Sequence, residues 1–272
     1  MKYCRLLFGG QSRYATVEKH GDELRIQRSI DASEEDKLFQ LEHAGVGSPF
    51  SDFPSMPLDE ADLLPPVTPS KIVCVGRNYR EHASELGNNA PTEPLIFFKP
   101  PSSLLRPRGQ ICLPAVSQRV DYEGELAVVI GKRTRHFRPD DNWREVVRGL
   151  TLANDVTARD LQKKDAQWTR AKGFDTFCPI GPLVSDELDL DAGITIETRL
   201  NGELRQCAST LEFIFSLPVL LSYITAAFTL EPGDLILTGT PAGVGPLASG
   251  DTVEVSAPGL GALTNTVVSE TI

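Results

Sequence analysis

The spacing of apolar and polar residues predicts a mostly β protein that contains a few helices. Apolar runs bounded by glycine, proline or charged residues are the pattern of buried strands. The clearest of these runs are residues 72–75, 94–99, 126–130 and 235–238. A longer apolar stretch, over about residues 210–228, predicts a core helix. It is too short and too interrupted to span a bilayer, which takes about 20 apolar residues.

Turn residues near the N-terminus predict a small β domain ahead of the main one. Ala15–Val17 and Glu23–Ile26 are expected to pair as a hairpin. Residues 63–70 are rich in proline, which is typical of a linker. The expected division is therefore a small N-terminal β domain over residues 1–65 and a main domain over residues 66–272.

Composition and charge narrow the functional classes. The chain has 272 residues, enough for one large domain with a small addition. Its 37 acidic and 27 basic residues give a formal charge of -10, which disfavours nucleic acids and anionic membrane surfaces as partners. The N-terminus lacks the apolar core of a signal peptide, and the five scattered cysteines include no C-x-x-C pair. These features predict a cytoplasmic protein without a membrane segment and without a zinc site.

Three carboxylates alternate in the segment that leads into the apolar run 126–130. In a strand, Asp121, Glu123 and Glu125 would point to the same face, where they repel one another. A hard divalent cation such as Mg²⁺ or Ca²⁺ would bind these oxygens and offset their charge. The alternative is an exposed edge strand whose acidic side chains are solvated. The segment by itself leaves both interpretations open.

His82 and Glu85 are a second candidate feature. Asn78 is expected to cap a short helix, in which His82 and Glu85 share one face at positions i and i+3. A carboxylate beside a histidine fixes the imidazole tautomer and raises its basicity, which suits acid–base catalysis. An ordinary surface ion pair explains the same spacing.

Polar residues that follow the apolar residues 150–153 form a third group. If a helix begins at Asp155, then Asp155, Arg159 and Gln162 lie on one stripe, where Arg159 could bind a substrate carboxylate. The alternative is an Asp–Arg pair that supports the helix. Lys172 follows among bulky apolar neighbours, where loss of hydration makes a lysine a useful acid or electrophile. A lysine whose charge stays in solvent is the other interpretation.

The glycines after the buried run 235–238 indicate a small-ligand site and not a nucleotide fold. Residues 239–245 lack the Gly-Lys-Ser/Thr end of a P-loop, and a strand is predicted soon after them, where a dinucleotide fingerprint requires a helix. These glycines, with Gly239 as the first, would let the backbone approach a small anionic ligand closely. The hydroxyl of Thr240 would then be a donor to that ligand.

Taken together, these segments resemble the fumarylacetoacetate hydrolase family, in particular its branch of acylpyruvases and 2-hydroxyhepta-2,4-diene-1,7-dioate isomerases. The resemblance covers about residues 71–267. The matching segments are Val75–Tyr79 with His82 and Glu85, Tyr122–Lys132, Asn154–Gln162, Ala171–Asp175, Asn201–Glu203, and Leu237–Pro241 with Gly243, Val244 and Gly245. Their number and their order carry the resemblance.

The resemblance implies roles for individual residues. The implied metal ligands are Glu123, Glu125 and Asp155, which would hold Mg²⁺, with Mn²⁺ or Ca²⁺ as substitutes. The implied catalytic residues are the acid–base dyad His82 and Glu85, on a lid helix, and Lys172. The implied substrate contacts are Arg77, Tyr79, Arg159, Gln162, Gly239 and Thr240. Asp121 would be a neighbour of the metal and not a ligand.

For the whole chain, the resemblance implies an α+β fold, mostly β, whose mixed β-sandwich or β-roll forms a barrel-like core, and a homodimer. The expected reaction is Mg²⁺-dependent cleavage of a C–C bond in a small-molecule 2-oxo acid through a metal-stabilised enolate, as in an acylpyruvate or fumarylpyruvate hydrolase. The same enolate would serve a diene-dioate isomerase, an oxaloacetate decarboxylase or a tautomerase. The N-terminal segment is shorter than that of long fumarylacetoacetases, which argues against fumarylacetoacetate itself. A metal-dependent binding module without catalysis is the alternative of another class.

Overall fold

The computed structural model describes residues 1–30, 55–85 and 91–271, and strands predominate in it. The strands are β1 Lys2–Phe8, β2 Gln11–His20, β3 Glu23–Ser29, β4 Met56–Pro57, β5 Leu63–Leu64, β6 Ile72–Gly76, β7 Leu95–Lys99, β8 Leu104–Leu105, β9 Gln110–Leu113, β10 Val120–Tyr122, β11 Gly124–Ile130, β12 Val147–Asn154, β13 Thr157–Ala158, β14 Cys178–Ser185, β15 Thr195–Leu200, β16 Glu203–Ser209, β17 Leu235–Leu237, β18 Gly245–Pro246, β19 Thr252–Ala257 and β20 Gly261–Ser269. The α-helices are α1 Arg80–Glu85, α2 Arg159–Lys164, α3 Thr169–Lys172 and α4 Leu217–Ala227. The predicted mostly β fold with few helices is confirmed.

Most of the strands form one 12-stranded sheet. Its order is β4-β3-β2-β1-β14-β12-β11-β17-β6-β7, with β5 beside β1 and β8 beside β14. The central strands β11, β12 and β14 are buried along their whole length. Because both faces of β11 are covered, its sequence after the acidic residues is a continuous apolar run and does not alternate. The order has two free ends, so the described strands do not close into a barrel.

The N-terminal strands belong to the same sheet as the main domain. The predicted hairpin is present, because β2 and β3 pair antiparallel with His20 opposite Glu23. Strand β1 pairs with β14 through Lys2 opposite Ser185, so hydrogen bonds cross the expected boundary near residue 65. The division into two domains stays a prediction, but the first strands extend the large sheet.

A second sheet packs against the acidic segment. It has five strands in the order β16-β15-β19-β20-β9, and a third sheet has the order β13-β10-β18. Where β15 meets β11, a Cβ on Gly124 would lie 2.0 Å from Oγ1 of Thr198. Only a glycine therefore fits between Glu123 and Glu125. The absence of a side chain at this position lets β15 pack directly against the acidic segment.

The helices differ from the sequence prediction at their beginnings. The helix predicted over about residues 210–228 is divided, because Thr210–Glu212 is a single 3-10 turn and α4 begins at Leu217, with proline in its first turn. Proline fits there because the first helical N–H groups have no partner within the helix. Asn78, the predicted cap of α1, instead accepts from the Phe215 amide at 2.8 Å. Within the described residues, no helix has the length and apolar character needed to cross a membrane.

Candidate active site

The acidic segment brings two of its carboxylates close to Asp155. The segment is two strands and not one, because Glu123 interrupts the ladder between β10 and β11. The Glu123 amide donates to Oδ1 of Asn154 at 2.9 Å. Three carboxylate oxygens, one from each residue, lie within 4.8 Å of one another in the group Glu123, Glu125 and Asp155. All three residues are buried. These are the three metal ligands implied by the sequence resemblance.

Asp121 lies beside this group and does not join it. Its carboxylate accepts from Nε of Arg119 at 2.8 Å and from Nε of Arg159 at 2.9 Å. The predicted helical stripe is wrong at its start, since α2 begins at Arg159 and not at Asp155. The carbonyl of Asp155 instead accepts from the hydroxyl of Thr157 at 2.8 Å, in the turn that leads into β13.

Three buried cations face the three carboxylates. Nζ of Lys172 lies 2.8 Å from Oε2 of Glu123 and 2.6 Å from Oδ2 of Asp155. Nη2 of Arg159 lies 2.5 Å from Oε1 of Glu123. Nζ of Lys99 lies 2.6 Å from Oδ1 of Asp155. The three carboxylates, Glu125 included, therefore lie close to three positively charged side chains in the protein interior.

Burial and charge move the two glutamates in opposite directions. Burial would raise the pKa of Glu123, but Arg159 and Lys172 outweigh burial and hold that pKa below its ordinary value. Burial raises the pKa of Glu125 well above its ordinary value, and the charges of Asp155 and Glu123 raise it further. The site therefore favours the ionised form of Glu123 and disfavours that of Glu125.

The surroundings of Lys172 are more polar than the sequence predicts. The ring of Phe97 lies 4.9 Å from Nζ, so part of the expected apolar contact exists. Burial would lower the pKa of Lys172, but Asp155 and Glu123 raise it above its ordinary value. The burial of Lys172 agrees with the predicted loss of hydration and not with the alternative in which its charge stays in solvent. Its role as an acid or electrophile stays a prediction.

A cavity of about 230 Å³ opens onto the carboxylates. The predicted site residues that line it are Arg77, His82, Glu123, Glu125, Asp155, Arg159, Gln162, Lys172 and Thr240. The wall is completed by Val75, Gly76, Phe97, Lys163 and Trp168. The structure thus brings together residues that are separated by more than 160 positions in the sequence.

His82 lines the cavity from α1, and Glu85 supports it from the same helix. Nδ1 of His82 lies 3.1 Å from Oε2 of Glu85, and His82 is buried. The other oxygen of Glu85 accepts from the Gly243 amide at 3.1 Å. Glu85 therefore holds the imidazole through Nδ1 and is itself held by the loop after β17.

Tyr79 and Gly239 lie behind the cavity wall and do not line it. The Tyr79 ring packs edge-on against Phe213, with ring centroids 5.1 Å apart. Gly239 has a φ of +98° and donates its amide to Oε2 of Glu125 at 2.7 Å. The predicted substrate contacts of Tyr79 and Gly239 stay predictions, whereas the structure gives Gly239 a contact with a carboxylate of the protein.

Thr240 lines the cavity, but its hydroxyl is already engaged. It donates to the carbonyl of Gly124 at 2.9 Å and accepts from Nε2 of Gln206 at 2.8 Å. The glycines of this loop likewise bring the backbone close to other parts of the chain, since a Cβ on Gly243 would lie 2.0 Å from the carbonyl oxygen of Arg205. Close packing within the protein accounts for these glycines.

The comparisons with known proteins agree with this geometry. The family described as fumarylacetoacetate (FAA) hydrolase, C-terminal, matches residues 71–268, which include every residue of the site. The chain belongs to the fumarylacetoacetate hydrolase family. The predicted resemblance is therefore confirmed over the main domain.

Relatives within the fumarylacetoacetate hydrolase family differ in their reactions. A mitochondrial oxaloacetate tautomerase of Bos taurus is 43% identical over 230 residues, 80% of this chain and 73% of the relative. The structure of a 2-hydroxyhepta-2,4-diene-1,7-dioate isomerase from Mycobacterium marinum is 40% identical, covers 100% of both chains and has a TM-score of 0.84. A fumarylacetoacetate hydrolase from Exiguobacterium antarcticum is 35% identical with a TM-score of 0.84, over 99% of this chain and 100% of the relative. The homodimer and the cytoplasmic location stay predictions.

Sequence reasoning missed Lys99 and Gln206. Lys99 is fully buried behind Asp155, and Gln206 links Thr240 to the Gly124 amide. The only sequence signal for Lys99 is a charged residue at the end of the apolar run 94–99. Gln206 belongs to none of the predicted site segments, because it reaches Thr240 from β16, which lies in another sheet.

The three carboxylates fit a divalent metal ion. They offer hard oxygen ligands from buried positions, which Mg²⁺, Mn²⁺ and Ca²⁺ prefer. A cation already bridges two of them, since one ammonium nitrogen of Lys172 contacts both Glu123 and Asp155. The three carboxylates of this site can therefore hold a divalent metal ion.

Proposed function

We propose that this chain is a divalent-metal-dependent enzyme that transfers a proton at the carbon next to the keto group of a small 2-oxo acid, and so interconverts its enol and keto forms. The observation that carries the proposal is the position of His82. It is held by Glu85 and lines the same cavity as Glu123, Glu125 and Asp155. An acid–base imidazole and a cation site in one cavity supply the two functions that such a proton transfer needs.

Glu123, Glu125 and Asp155 are proposed to hold Mg²⁺. Bound there, the ion would polarise the keto oxygen of the substrate and offset the negative charge that develops on it. Lys172 keeps a positive charge beside the same carboxylates, because Asp155 and Glu123 raise its pKa. Its ammonium can therefore donate a hydrogen bond to an anionic oxygen of the substrate throughout the reaction.

His82 is proposed to move the proton. From the keto form, Nε2 takes the proton of the C3–H bond, the electron pair of that bond becomes the C2–C3 double bond, and the π pair of the keto group moves onto its oxygen. The imidazolium then passes its proton to that oxygen, which gives the enol and returns His82 to its neutral form. The reverse sequence returns the proton to C3. Glu85 fixes the tautomer through Nδ1 and stabilises the imidazolium that forms. Burial of His82 limits competition from bulk water.

The size and charge of the cavity favour a small anion. A volume of about 230 Å³ is below the roughly 300–1,000 Å³ that is typical of pockets for drug-sized ligands. Arg77 lines the cavity and makes no ion pair within the described part of the chain. Its guanidinium is therefore available for a carboxylate of the substrate, and a four-carbon 2-oxo diacid of the oxaloacetate type is the size class proposed.

C–C bond hydrolysis of an acylpyruvate is the second candidate. The observation in its favour is the dyad itself, because a histidine held by a carboxylate can activate water as well as exchange a proton with carbon. Attack of that water on the distal carbonyl would release pyruvate and a carboxylic acid. Decarboxylation, diene-dioate isomerisation and a non-catalytic binding role are the other predicted outcomes.

The test compares two substrates with and without a chelator. Chelator-treated protein would be mixed with enol-oxaloacetate or acetylpyruvate, with and without Mg²⁺, and the loss of enol absorbance and the release of pyruvate would be followed. We expect Mg²⁺-dependent ketonisation above the buffer rate, which His82→Gln abolishes. Pyruvate release from acetylpyruvate without ketonisation would favour hydrolysis instead. Metal binding without turnover of either substrate would favour the binding module.

A further inference from the structure

Each of the three carboxylates already uses one oxygen to contact a donor of the protein. The contacts are Nζ of Lys99 to Oδ1 of Asp155 at 2.6 Å, Nη2 of Arg159 to Oε1 of Glu123 at 2.5 Å, and the Gly239 amide to Oε2 of Glu125 at 2.7 Å. Apart from the ammonium of Lys172, which contacts two of them, the second oxygens of the carboxylates remain for a ligand in the cavity. The protein therefore offers one oxygen from each carboxylate.

Lys172 identifies which oxygens face a cation. Its ammonium contacts Oδ2 of Asp155 and Oε2 of Glu123, and these are the oxygens that Lys99 and Arg159 leave free. Lys172 lines the cavity, so another cation in the cavity would meet the same two oxygens. The two oxygens of Asp155 thus have different partners, one in the cavity and one in the protein interior.

Lys99 is the partner in the interior. Its side chain is 0% exposed, and it does not line the cavity. Besides Asp155, its ammonium contacts the carbonyl oxygen of Val156 at 3.2 Å. A buried lysine charge strongly destabilises the fold unless it is paired, so Lys99 requires its ion pair with Asp155. It holds Oδ1 of Asp155 whether or not Lys172 moves.

One oxygen per carboxylate suits some divalent ions better than others. Mg²⁺ prefers octahedral geometry with single oxygens from few carboxylates and retains water molecules. Ca²⁺ takes six to eight oxygens and commonly binds both oxygens of a carboxylate. A donor that permanently occupies the second oxygen limits the number of protein ligands, and this limit acts more strongly against Ca²⁺.

We propose that Lys99 is a positioning residue that restricts Asp155 to one cavity-facing oxygen and thereby makes the site select Mg²⁺ over Ca²⁺. The inference rests on the proposed metal site. Lys99 is the informative residue among the three donors, because Arg159 lines the cavity and Gly239 donates from the backbone. A change at Lys99 alters the carboxylate without altering a group that touches the substrate.

The experiment measures the ratio of two dissociation constants. Lys99→Met removes the ammonium and keeps a side chain of similar length, and calorimetry on chelator-treated protein gives Kd for Mg²⁺ and for Ca²⁺. Loss of a positive charge strengthens binding of both divalent ions, so the ratio separates geometry from charge. We expect the ratio of Ca²⁺ affinity to Mg²⁺ affinity to rise about tenfold, the lower end of the range for residues that orient metal ligands.

Lys71→Met is the matched control. Lys71 also pairs with a fully buried aspartate, Asp234, but it contacts none of the three carboxylates. The control should lower the melting temperature and leave the affinity ratio within twofold of the wild type. A lysine with a purely structural role at position 99 would behave in the same way as Lys71→Met, and that result would overturn the proposal.

A measurement on the wild-type protein covers the case in which Lys99→Met does not fold. Infrared difference spectra on metal addition distinguish carboxylates that bind through one oxygen from those that bind through two, by the separation of their two stretching bands. We expect one-oxygen binding with Mg²⁺, and two-oxygen bands with Mg²⁺ would overturn the proposal. If the wild type binds neither ion, the metal site and this inference both fail. If it binds both ions and Lys99→Met leaves the ratio unchanged, only this inference fails.

Discussion

The ammonium nitrogen of Lys172 lies 2.6 Å from Oδ2 of Asp155, the oxygen that we propose as a metal ligand. Both residues are buried, so the contact is much less screened than an ion pair on the surface. We therefore propose that the lysine performs two tasks in sequence. It offsets the negative charge of the carboxylates before a metal ion binds, and it becomes available to the substrate when the ion takes over that role.

Lys172→Met tests this exchange. We expect the chelator-treated variant to lose about 3 kcal/mol of unfolding free energy, because removing one partner leaves buried carboxylates without compensation. Mg²⁺ should restore much of this loss, so the rise in melting temperature on adding Mg²⁺ should be larger than in the wild type. Lys71→Met, which breaks an ion pair away from the site, should show the wild-type rise. Equal rises in all three proteins would contradict the exchange.

His82→Gln and Glu85→Gln test the acid–base dyad. Because His82 contacts Glu85 and neither is a proposed metal ligand, both variants should keep the wild-type Kd for Mg²⁺. We expect kcat for enol–keto conversion to fall by about 10²- to 10⁴-fold in His82→Gln, the usual contribution of general acid–base catalysis. Glu85→Gln should lower kcat less than His82→Gln does, since it removes the partner of the histidine and not the proton carrier. Unchanged kcat in His82→Gln would exclude it as the proton carrier.

The acidic segment could be recognised because its signal is local, but its metal ligands could not be chosen locally. Strand periodicity groups Asp121, Glu123 and Glu125 and leaves a metal site and a solvated edge strand both open. The set Glu123, Glu125 and Asp155, which the structure brings together, is the one that the family resemblance implies. His82 and Glu85 are three positions apart on α1, as their helical spacing predicted.

The supporting contacts could not be predicted because they join distant segments. Lys99 reaches Asp155 from the edge strand β7, 56 positions away in the sequence. The spacing of Asp155, Arg159 and Gln162 predicts that α2 begins at Asp155. In the structure, Thr157 instead pairs with Asp121 between β13 and β10. Sheet pairing therefore extends the chain until Arg159, and local periodicity contains no information about that pairing.

Gly124→Ala tests the support of the acidic segment by β15. The new Cβ would lie 2.0 Å from Oγ1 of Thr198, so β11 or β15 must shift. We expect a loss of about 1–3 kcal/mol in unfolding free energy, the usual range for overpacking, together with weaker binding of Mg²⁺. Urea denaturation and calorimetry measure the two effects.

Thr198→Ala provides the matched control and a partial rescue. Oγ1 of Thr198 is buried and has no hydrogen-bond partner among the residues that the structure describes, so its removal alone should have little effect on stability. In the double variant the nearest remaining atoms lie 3.2 Å from the new Cβ, which the strands can accommodate with a small shift. Additive losses in the double variant would show that the contact with Thr198 is not the cause.

The raised pKa of Glu125 predicts that Mg²⁺ stabilises the protein more strongly as the pH increases. Burial, with Asp155 and Glu123, raises this pKa above the roughly 4.3 of a glutamate in the unfolded chain. When the pKa of a group is higher in the folded protein than in the unfolded chain, the group stabilises the fold at pH values below its pKa in the unfolded chain. This stabilisation is lost as the pH rises through its pKa in the folded protein. Chelator-treated protein should therefore become less stable as the pH rises through that range.

Binding of Mg²⁺ reverses the sign of this effect, because the ion requires the ionised carboxylate and releases its proton. The difference in melting temperature between Mg²⁺-saturated and chelator-treated protein should thus increase as the pH rises above about 4.3, the ordinary pKa of a glutamate. Glu125→Gln cannot ionise but can still accept from the Gly239 amide, so it should lose this increase and keep its fold. An undiminished pH dependence in Glu125→Gln would assign the effect to another group and contradict this prediction.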